Sequence, residues 1–220
     1  MAKKVIDLEI ECRRGPSVTR DEIKEFSDLF SGHYGIYGAS SPIKPGQRVE
    51  LKPDRLRKWL SSDEAEAWAA RADGILTGYA FVIRGRISPE RIVTWVTQLV
   101  VHRDYRDRGV AKRLLSAIWS FSDHFVWGLV SSNPYAVRAL EKATRRRCDP
   151  RIISHHQGSL LQLGANLIEY IQQSRGHRID DTQSVIDTEF YLDHSELPDM
   201  MSRASKEKEW RLGEINEGEE

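Results

Sequence analysis

Only two cysteines occur in the 220 residues, Cys12 and Cys148. A pair so far apart gives neither a disulfide framework nor a metal-ligand spacing, so a reduced, cytoplasmic compartment is the expectation. Long apolar runs are missing too. None approaches the roughly 18 residues that a membrane span needs, and the first residues alternate instead of forming a signal-peptide core. Net charge is absent, because 33 basic residues balance 33 acidic ones. Neither a nucleic acid nor an anionic membrane is therefore expected as a partner. No internal repeat is visible. What is present, 40% hydrophobic and 30% charged residues at a mean hydropathy of −0.53, suits a soluble globular chain with one substantial core and an appendage.

Residues 3–12 alternate, with Ile6, Leu8, Ile10 and Cys12 on one side, which predicts a half-buried strand. Thr19 and Glu22 have the spacing of a capping box, and Ile23, Phe26 and Phe30 follow at helical intervals, which predicts a helix over 19–31. Residues 32–47, rich in Gly, Ser, Pro and Tyr, read as a loop. Pro53 opens a short second helix with Leu56, Trp59 and Leu60 on its apolar face. Asp73-Gly74 marks a hairpin between strands over 64–72 and 75–84, although the alanines of the first favour helix. A central strand over 93–101, a helix over 109–121, a strand over 125–131 and a helix opening at Asn133-Pro134 come next. Beyond these, a helix over 159–174, a strand over 184–192 and a helix over 195–208 are expected, with 217–220 frayed. This order gives a mixed α/β sheet with helices on both faces. The expected division is a core over 1–150 and a helical extension over 151–220 that completes the sheet or forms an oligomer interface.

The most informative stretch runs from Gln98 to Leu115, QLVVHRDYRDRGVAKRLL. An apolar strand enters a basic turn, and the turn opens an amphipathic helix. Arg106-Asp107-Arg108-Gly109-Val110-Ala111 fits the pattern (Arg/Gln)-x-x-Gly-x-(Gly/Ala). The first amides of a helix lack intrahelical acceptors, and the helix dipole adds positive charge there, so a phosphate is held by main-chain donors. Gly109 and Ala111 leave the approach open. Arg106, Arg108, Lys112 and Arg113 add charge around it.

These residues resemble the GNAT superfamily of N-acetyltransferases. Its core motif reads approximately Leu-x-Val-x-Pro-x-Tyr-Arg-Gly-x-Gly-Ile-Gly. Leu99, Val101, Tyr105, Arg106, Gly109 and Val110 match in register, while Arg103, Asp107 and Ala111 replace the Pro, the first Gly and the last. A second pattern, Asn-x-x-Ala-x-x-Leu-Tyr-Glu-Lys-x-Gly-Phe, is echoed from Asn133 through Ala136 and Ala139-Leu140 to Glu141-Lys142. The stretch from Gly74 to Ala80 is similar to the family's third strand. The likeness covers about residues 65–142. It implies a GNAT-like, mostly antiparallel twisted sheet and direct acetyl transfer from acetyl-CoA to a primary amine.

By position, the resemblance places the cosubstrate's diphosphate on the amides of Arg106, Asp107, Arg108, Gly109, Val110, Ala111 and Lys112. The backbone of Leu99, Val100 and Val101 would pair with the pantetheine arm, Asn133 would hydrogen-bond it, and Ala136 would line it. The Leu99 N–H would polarise the thioester carbonyl. One departure matters. The family's frequent Tyr, which protonates the leaving thiolate, falls at Leu140, and its Gly-Phe falls at Thr144-Arg145. Ser131, Ser132 and Tyr135 are the hydroxyls at hand, and Ser131 stands as the catalytic candidate. The alternative is a module that binds acetyl-CoA as a sensor or regulatory subunit without chemistry. The acceptor, a small-molecule or peptide amine, is not specified by the sequence, and neither is the general base.

Other features have plainer readings. His33, Tyr34 and Tyr37 sit in the loop that lines the acceptor side in such proteins, or pack locally. Gln98 touches substrate or is a satisfied polar group at a strand edge. His155-His156, read as strand residues, point to opposite faces and lack a third ligand, so no metal is expected. Arg145–Arg147 reads as a helix-end charge cluster. Leu160, Leu163, Leu167 and Ile171 form a stripe that is core or the face of a homodimer.

Overall fold

The computed structural model describes residues 6–220. The start of the expected strand, residues 3–5, lies outside them. Two compact units are present. The first comprises Met1–Gly35, Arg48–Gly85 and Arg91–Leu129, and the second Ile36–Gln47, Arg86–Glu90 and Val130–Glu220.

In the first unit, β1 (Glu9–Arg14), β2 (Ala65–Ala72), β3 (Ile75–Ser88), β4 (Arg91–Val101) and β5 (Val126–Leu129) lie side by side in chain order. β1 pairs antiparallel with β2, and β2 with β3. β5 runs parallel to β4, from Val93 opposite Val126 to Val96 opposite Leu129. The turn between β2 and β3 has Asp73 at φ 51° and Gly74 at φ 75°. Two left-handed residues in a row make the tight hairpin turn whose twist matches the strands, and this Asp-Gly pair supplies them at low steric cost.

Three helices belong to this unit, two of them packed on the sheet. α1 (Arg20–His33) starts at a complete capping box: Thr19 Oγ1 accepts from the Glu22 N–H at 3.3 Å, and Glu22 Oε2 accepts from the Thr19 N–H at 2.8 Å. Such a cap is worth about 1 kcal/mol. α2 (Pro53–Trp59) has proline in its first turn, where no N–H is needed. α3 is Val110–Trp119. Neighbouring residues of a strand face opposite ways. Tyr79 meets Phe26 of α1 with ring centroids 4.9 Å apart, whereas a Cβ on Gly78 would stand 2.8 Å from Val110 Cγ1 and 3.0 Å from the Val100 carbonyl oxygen. α1 and α3 therefore lie on opposite faces, and Gly78 is the gap into which α3 settles. Leu8, Ala70, Ala72, Val110 and Leu114 are buried together under α3, with Ile6, Ile10, Leu99 and Val101 packed against them. Cys12, expected inside, is exposed. Arg113 of α3 donates to the carbonyls of Ile6 at 2.9 Å and Leu8 at 3.2 Å, so it staples the run into β1 and is not a free charge near the turn.

The second unit contains α4 (Pro134–Thr144), α5 (Pro150–Leu167), α6 (Glu169–Gln172) and α7 (Leu197–Glu207), with β6 (Gly176–Ile179) paired antiparallel to β7 (Ser184–Asp187). The β6–β7 pair is a two-stranded sheet separate from β1–β5. The expected helix over 159–174 starts earlier, at Pro150, because Asp149 caps it by accepting from the Arg151 N–H at 3.0 Å. It breaks at Ile168, a buried residue in extended conformation. His155-His156 are thus helical, not in a strand, and their rings meet edge to face at 4.7 Å. The expected strand over 184–192 stops at Asp187, after which Leu192 forms an isolated bridge with Tyr37. Gly38 N–H donates to the Tyr191 carbonyl at 3.0 Å and Asp193 N–H to the Ile36 carbonyl at 2.8 Å, so the loop at 36–38 is zipped to this segment.

A buried guanidinium organises the C-terminal helix. Arg138 of α4 donates to Glu141 Oε2 at 2.6 Å, to the Ala204 carbonyl at 3.3 Å and to the carbonyls of Lys208 and Glu209. It also lies 5.5 Å from the centre of the Trp210 ring. This one side chain gathers the Ala204 carbonyl in the last turn of α7 and the carbonyls of the two residues that follow the helix. Residues 217–220 are not frayed. Ile186 and Glu220 exchange both main-chain hydrogen bonds at 2.9 Å, and Gly218 is buried. Their pairing with β7 supplies the partners that a free end lacks.

Candidate functional site

β4 outruns β5. The ladder between them ends at Val96 opposite Leu129, and β4 continues to Val101. Main-chain groups alternate sides along a strand. His102 N–H donates to Thr77 at the β3 edge at 2.9 Å. The period of two then turns Val100 toward β3, and Leu99 and Val101 toward the side that β5 has left. The side chains of Leu99 and Val101 pack under α3. Gln98 accepts from the fully buried Tyr79 hydroxyl at 2.9 Å, a satisfied polar pair. Burial pushes that Tyr79 hydroxyl well above the usual tyrosine pKa.

After Val101 the chain makes one tight turn at Arg103–Tyr105, with His102 Nδ1 accepting from the Asp104 N–H at 3.2 Å. Asp107 at φ 58° and Gly109 at φ 81° are both left-handed. This bend places Gly109 as the residue before α3, and no heavy atom lies within 4 Å of where its Cβ would stand. The first α3 hydrogen bond runs from Arg113 N–H to the Gly109 carbonyl at 2.9 Å. The amides of Val110, Ala111 and Lys112 precede it, so the helix itself supplies them no acceptor. Val110 is buried, Ala111 half-buried, and Arg108, Gly109 and Lys112 exposed. The structure thus brings Leu99–Val101 and the amides of 106–112 together within one unit.

The cations of the turn are used unequally. Arg106 does not project over the helix start. Its guanidinium donates to the Val101 carbonyl at 3.4 Å and to the His33 carbonyl, tying the turn to the end of α1. Arg108 sits 5.5 Å over the Tyr105 ring. Lys112 is exposed. The His33 ring lies 3.8 Å from that of His102, tilted by 40°, and its Nδ1 accepts from the Arg103 N–H, 3.4 Å away. Desolvation, then His102, Arg103 and Arg106, lower its pKa below the usual histidine value. Tyr34 stacks on Phe30 at 4.2 Å. No sequence signal marks the carbonyl partners of Arg106 and Arg113, which lie 73 and 107 positions away.

The remaining candidates belong to the second unit. Asn133 caps α4, its Oδ1 accepting from the Tyr135 N–H at 2.9 Å. Its Nδ2 donors are not spent on that cap. Ser131 Oγ accepts from the Asn133 N–H at 3.1 Å, which leaves its own O–H to donate. Ala136 is half-buried in the first turn of α4. Leu140 is 4% exposed, a core residue with no proton to give. Tyr37 meets Phe190 edge to face at 6.2 Å. Arg147 leans on Glu141 at 3.5 Å and donates to the Glu209 carbonyl at 2.7 Å, whereas Arg145 and Arg146 are exposed. Among the described residues, no group of three His, Cys, Asp or Glu is placed to hold a metal, and no helix is long and apolar enough to cross a membrane.

A strand edge that runs past the end of its parallel partner, beside a glycine-opened helix start, offers main-chain donors suited to a phosphate-bearing ligand. The profile of the acetyltransferase (GNAT) family matches residues 33–144, just over half of the sequence, and the chain belongs to that family of acyltransferases. Solved structures similar to it include a ribosomal-protein-alanine N-acetyltransferase from Brucella melitensis biovar Abortus 2308, at 21% identity and TM-score 0.41, covering 56% of this chain and 80% of that one. An aminoglycoside acetyltransferase from an uncultured soil metagenomic sample, in complex with sisomicin, is 15% identical at TM-score 0.46, over 63% and 87% of the two chains. A Trypanosoma brucei acetyltransferase is 18% identical at TM-score 0.44, over 62% and 90%. No curated protein matches the sequence significantly.

Proposed function

We propose that the protein is an acetyl-CoA-dependent N-acetyltransferase that passes the acetyl group directly to the amine of a small molecule or peptide. The observation that carries this reading is the head of α3, where left-handed Gly109 leaves open space before three amides without helical acceptors. That cradle fits a diphosphate. Main-chain donors of 106–112 would hold it, with the exposed charges of Arg108 and Lys112 beside it. The Leu99–Val101 edge would pair with the pantetheine arm as an added strand, and the Asn133 Nδ2 donors would bond it. The cosubstrate supplies an acetyl thioester. The Leu99 N–H, turned to the side of β4 beyond the end of β5, would stabilise negative charge on the thioester oxygen as the amine attacks. A free thiol has a pKa of about 8.5, so the sulfur leaves without strong acid help. The Ser131 hydroxyl is the donor proposed to assist it.

Leu140 favours a second reading, a regulatory module that keeps acetyl-CoA without turning it over. Calorimetry with CoA, together with release of free thiol from acetyl-CoA across a broad amine panel, separates the two. Binding with turnover supports the transferase. Binding without turnover on any amine supports the module, and failure to bind CoA refutes both.

A further inference from the structure

Direct transfer brings two molecules to one stretch of β4. The cosubstrate is proposed to enter from the head of α3, and α3 lies on the face of the sheet opposite α1. The side chains of Leu99 and Val101 belong to the α3 face. Gln98 stands one residue before Leu99 and belongs to the other face, because neighbours along a strand alternate. Its Oε1 accepts from Tyr79, whose ring meets Phe26 of α1. Gln98 thus flanks the thioester edge on the face that the cosubstrate leaves free.

The bond to Tyr79 also decides which way the carboxamide points. The Tyr79 side chain is fully buried, and Gln98 Oε1, 2.9 Å away, is the one hydrogen-bond partner of its hydroxyl among the described residues. A carboxamide turned over would leave the buried hydroxyl hydrogen with no acceptor. The Tyr79 ring is itself held between Phe26 at 4.9 Å and Phe81 at 4.7 Å. The packed rings hold the hydroxyl, and the hydroxyl holds the carboxamide. Gln98 is half-buried, and among the described residues its Nε2 has no acceptor and is not sealed from solvent. A pair of N–H donors is therefore fixed beside Leu99 and unspent. Neutral amide N–H groups neither take a proton from an ammonium nor pair with one. They call for an oxygen lone pair.

We propose that Gln98 selects the acceptor by donating to an oxygen carried close to the reacting nitrogen. The substrate class is then amines with a hydroxyl or carbonyl on the neighbouring carbon, in preference to plain alkylamines and polyamines. The inference rests on the N-acetyltransferase reading. An amine with such an oxygen replaces the solvent it strips from Nε2, whereas an alkylamine strips it and returns nothing, which penalises the analogue.

The test is kcat/KM at saturating acetyl-CoA for matched amines: ethanolamine against propylamine, and glycinamide against isobutylamine. The wild type is expected to favour the oxygen-bearing member of each pair by roughly 5- to 150-fold, the effect of one donor left unmet. Gln98→Glu keeps an oxygen for the Tyr79 hydroxyl and puts an anion where the donors were. It should lose that preference and favour propane-1,3-diamine over propylamine. Tyr79→Phe keeps the carboxamide but unpins it, and should narrow the wild-type preference. A merely structural role would lower both members of a pair together, so a wild-type ratio retained in Gln98→Glu overturns the proposal. Equal kcat/KM for the two members in the wild type overturns it while the transferase reading stands. Should Gln98→Glu not fold, an unchanged ratio in Tyr79→Phe overturns it. A wild type that binds acetyl-CoA but acetylates no amine removes the transferase reading, and the selection with it.

Discussion

Replacing Gly109 by Asn and, separately, by Asp isolates the charge sensitivity of the α3 head. At φ 81° both side chains carry a similar backbone penalty, about 1 kcal/mol, because Asn and Asp are the non-glycine residues most tolerant of the left-handed region. Space around the new Cβ is open within 4 Å, so neither variant clashes. The two differ in one negative charge. A diphosphate on the amides of Val110 to Lys112 would lie about 5 Å from a carboxylate at 109. Two unit charges at that distance repel by roughly 1 to 3 kcal/mol at an effective dielectric between 80 and 20. The dissociation constant for CoA should therefore be about 5- to 150-fold larger for Gly109→Asp than for Gly109→Asn. Because the site is exposed, the gap should narrow as salt is raised. Calorimetry at two ionic strengths reads both effects, and melting curves should place the variants within about 1 kcal/mol of each other in stability. Equal CoA affinities for Asn and Asp would refute the placement of the diphosphate.

Other consequences can be measured on the same protein. Arg138→Met leaves Glu141, 7% exposed in its side chain, without its closest cation and takes one donor from each of three carbonyls; urea unfolding should show a loss of about 3 to 5 kcal/mol, partly restored by adding Glu141→Leu. Gly78→Ala drives a methyl to 2.8 Å from Val110 Cγ1 and 3.0 Å from a carbonyl oxygen, and should cost about 1 to 3 kcal/mol by the same assay, whereas no cost would mean that α3 can slide. Glu220 makes stability fall with pH. Its folded pKa of about 7 exceeds the ordinary 4.5, so the folded state holds the proton more tightly. That contribution is full below about pH 4.5 and disappears as pH rises through 7, with an upper bound of about 3 kcal/mol. Urea midpoints at about pH 5 and 8 should differ less for Glu220→Gln than for the wild type.

Signals carried by a few adjacent residues were readable before folding. The capping box at Thr19 and Glu22, the Asp73-Gly74 turn and the opening of α3 after Gly109 depend on local backbone chemistry, and all appear where the sequence placed them. The bend before α3, proposed above to hold the diphosphate, was legible for the same reason, since it is made of main-chain groups fixed by Gly109 and its neighbours. The start of α5 was written in Asp149-Pro150 but was obscured by the basic run before it. What could not be read depends on partners far along the chain. Nothing near Arg106 or Arg113 names the carbonyls of His33, Ile6 and Leu8, and nothing in residues 217–220 announces β7. The alternation of 3–12 was read correctly for Leu8 and Ile10, but Cys12 lies where the burial gives out.

The zipper between Gly38 and Tyr191, and between Ile36 and Asp193, has a consequence for biosynthesis. Its halves come from early and late in translation. At roughly 5–20 residues per second, on the order of 10 s separates them on a ribosome. For that interval the 36–38 edge of a loop otherwise closed on itself lacks its late partner, and it stays open to chaperones and proteases until Leu192 emerges.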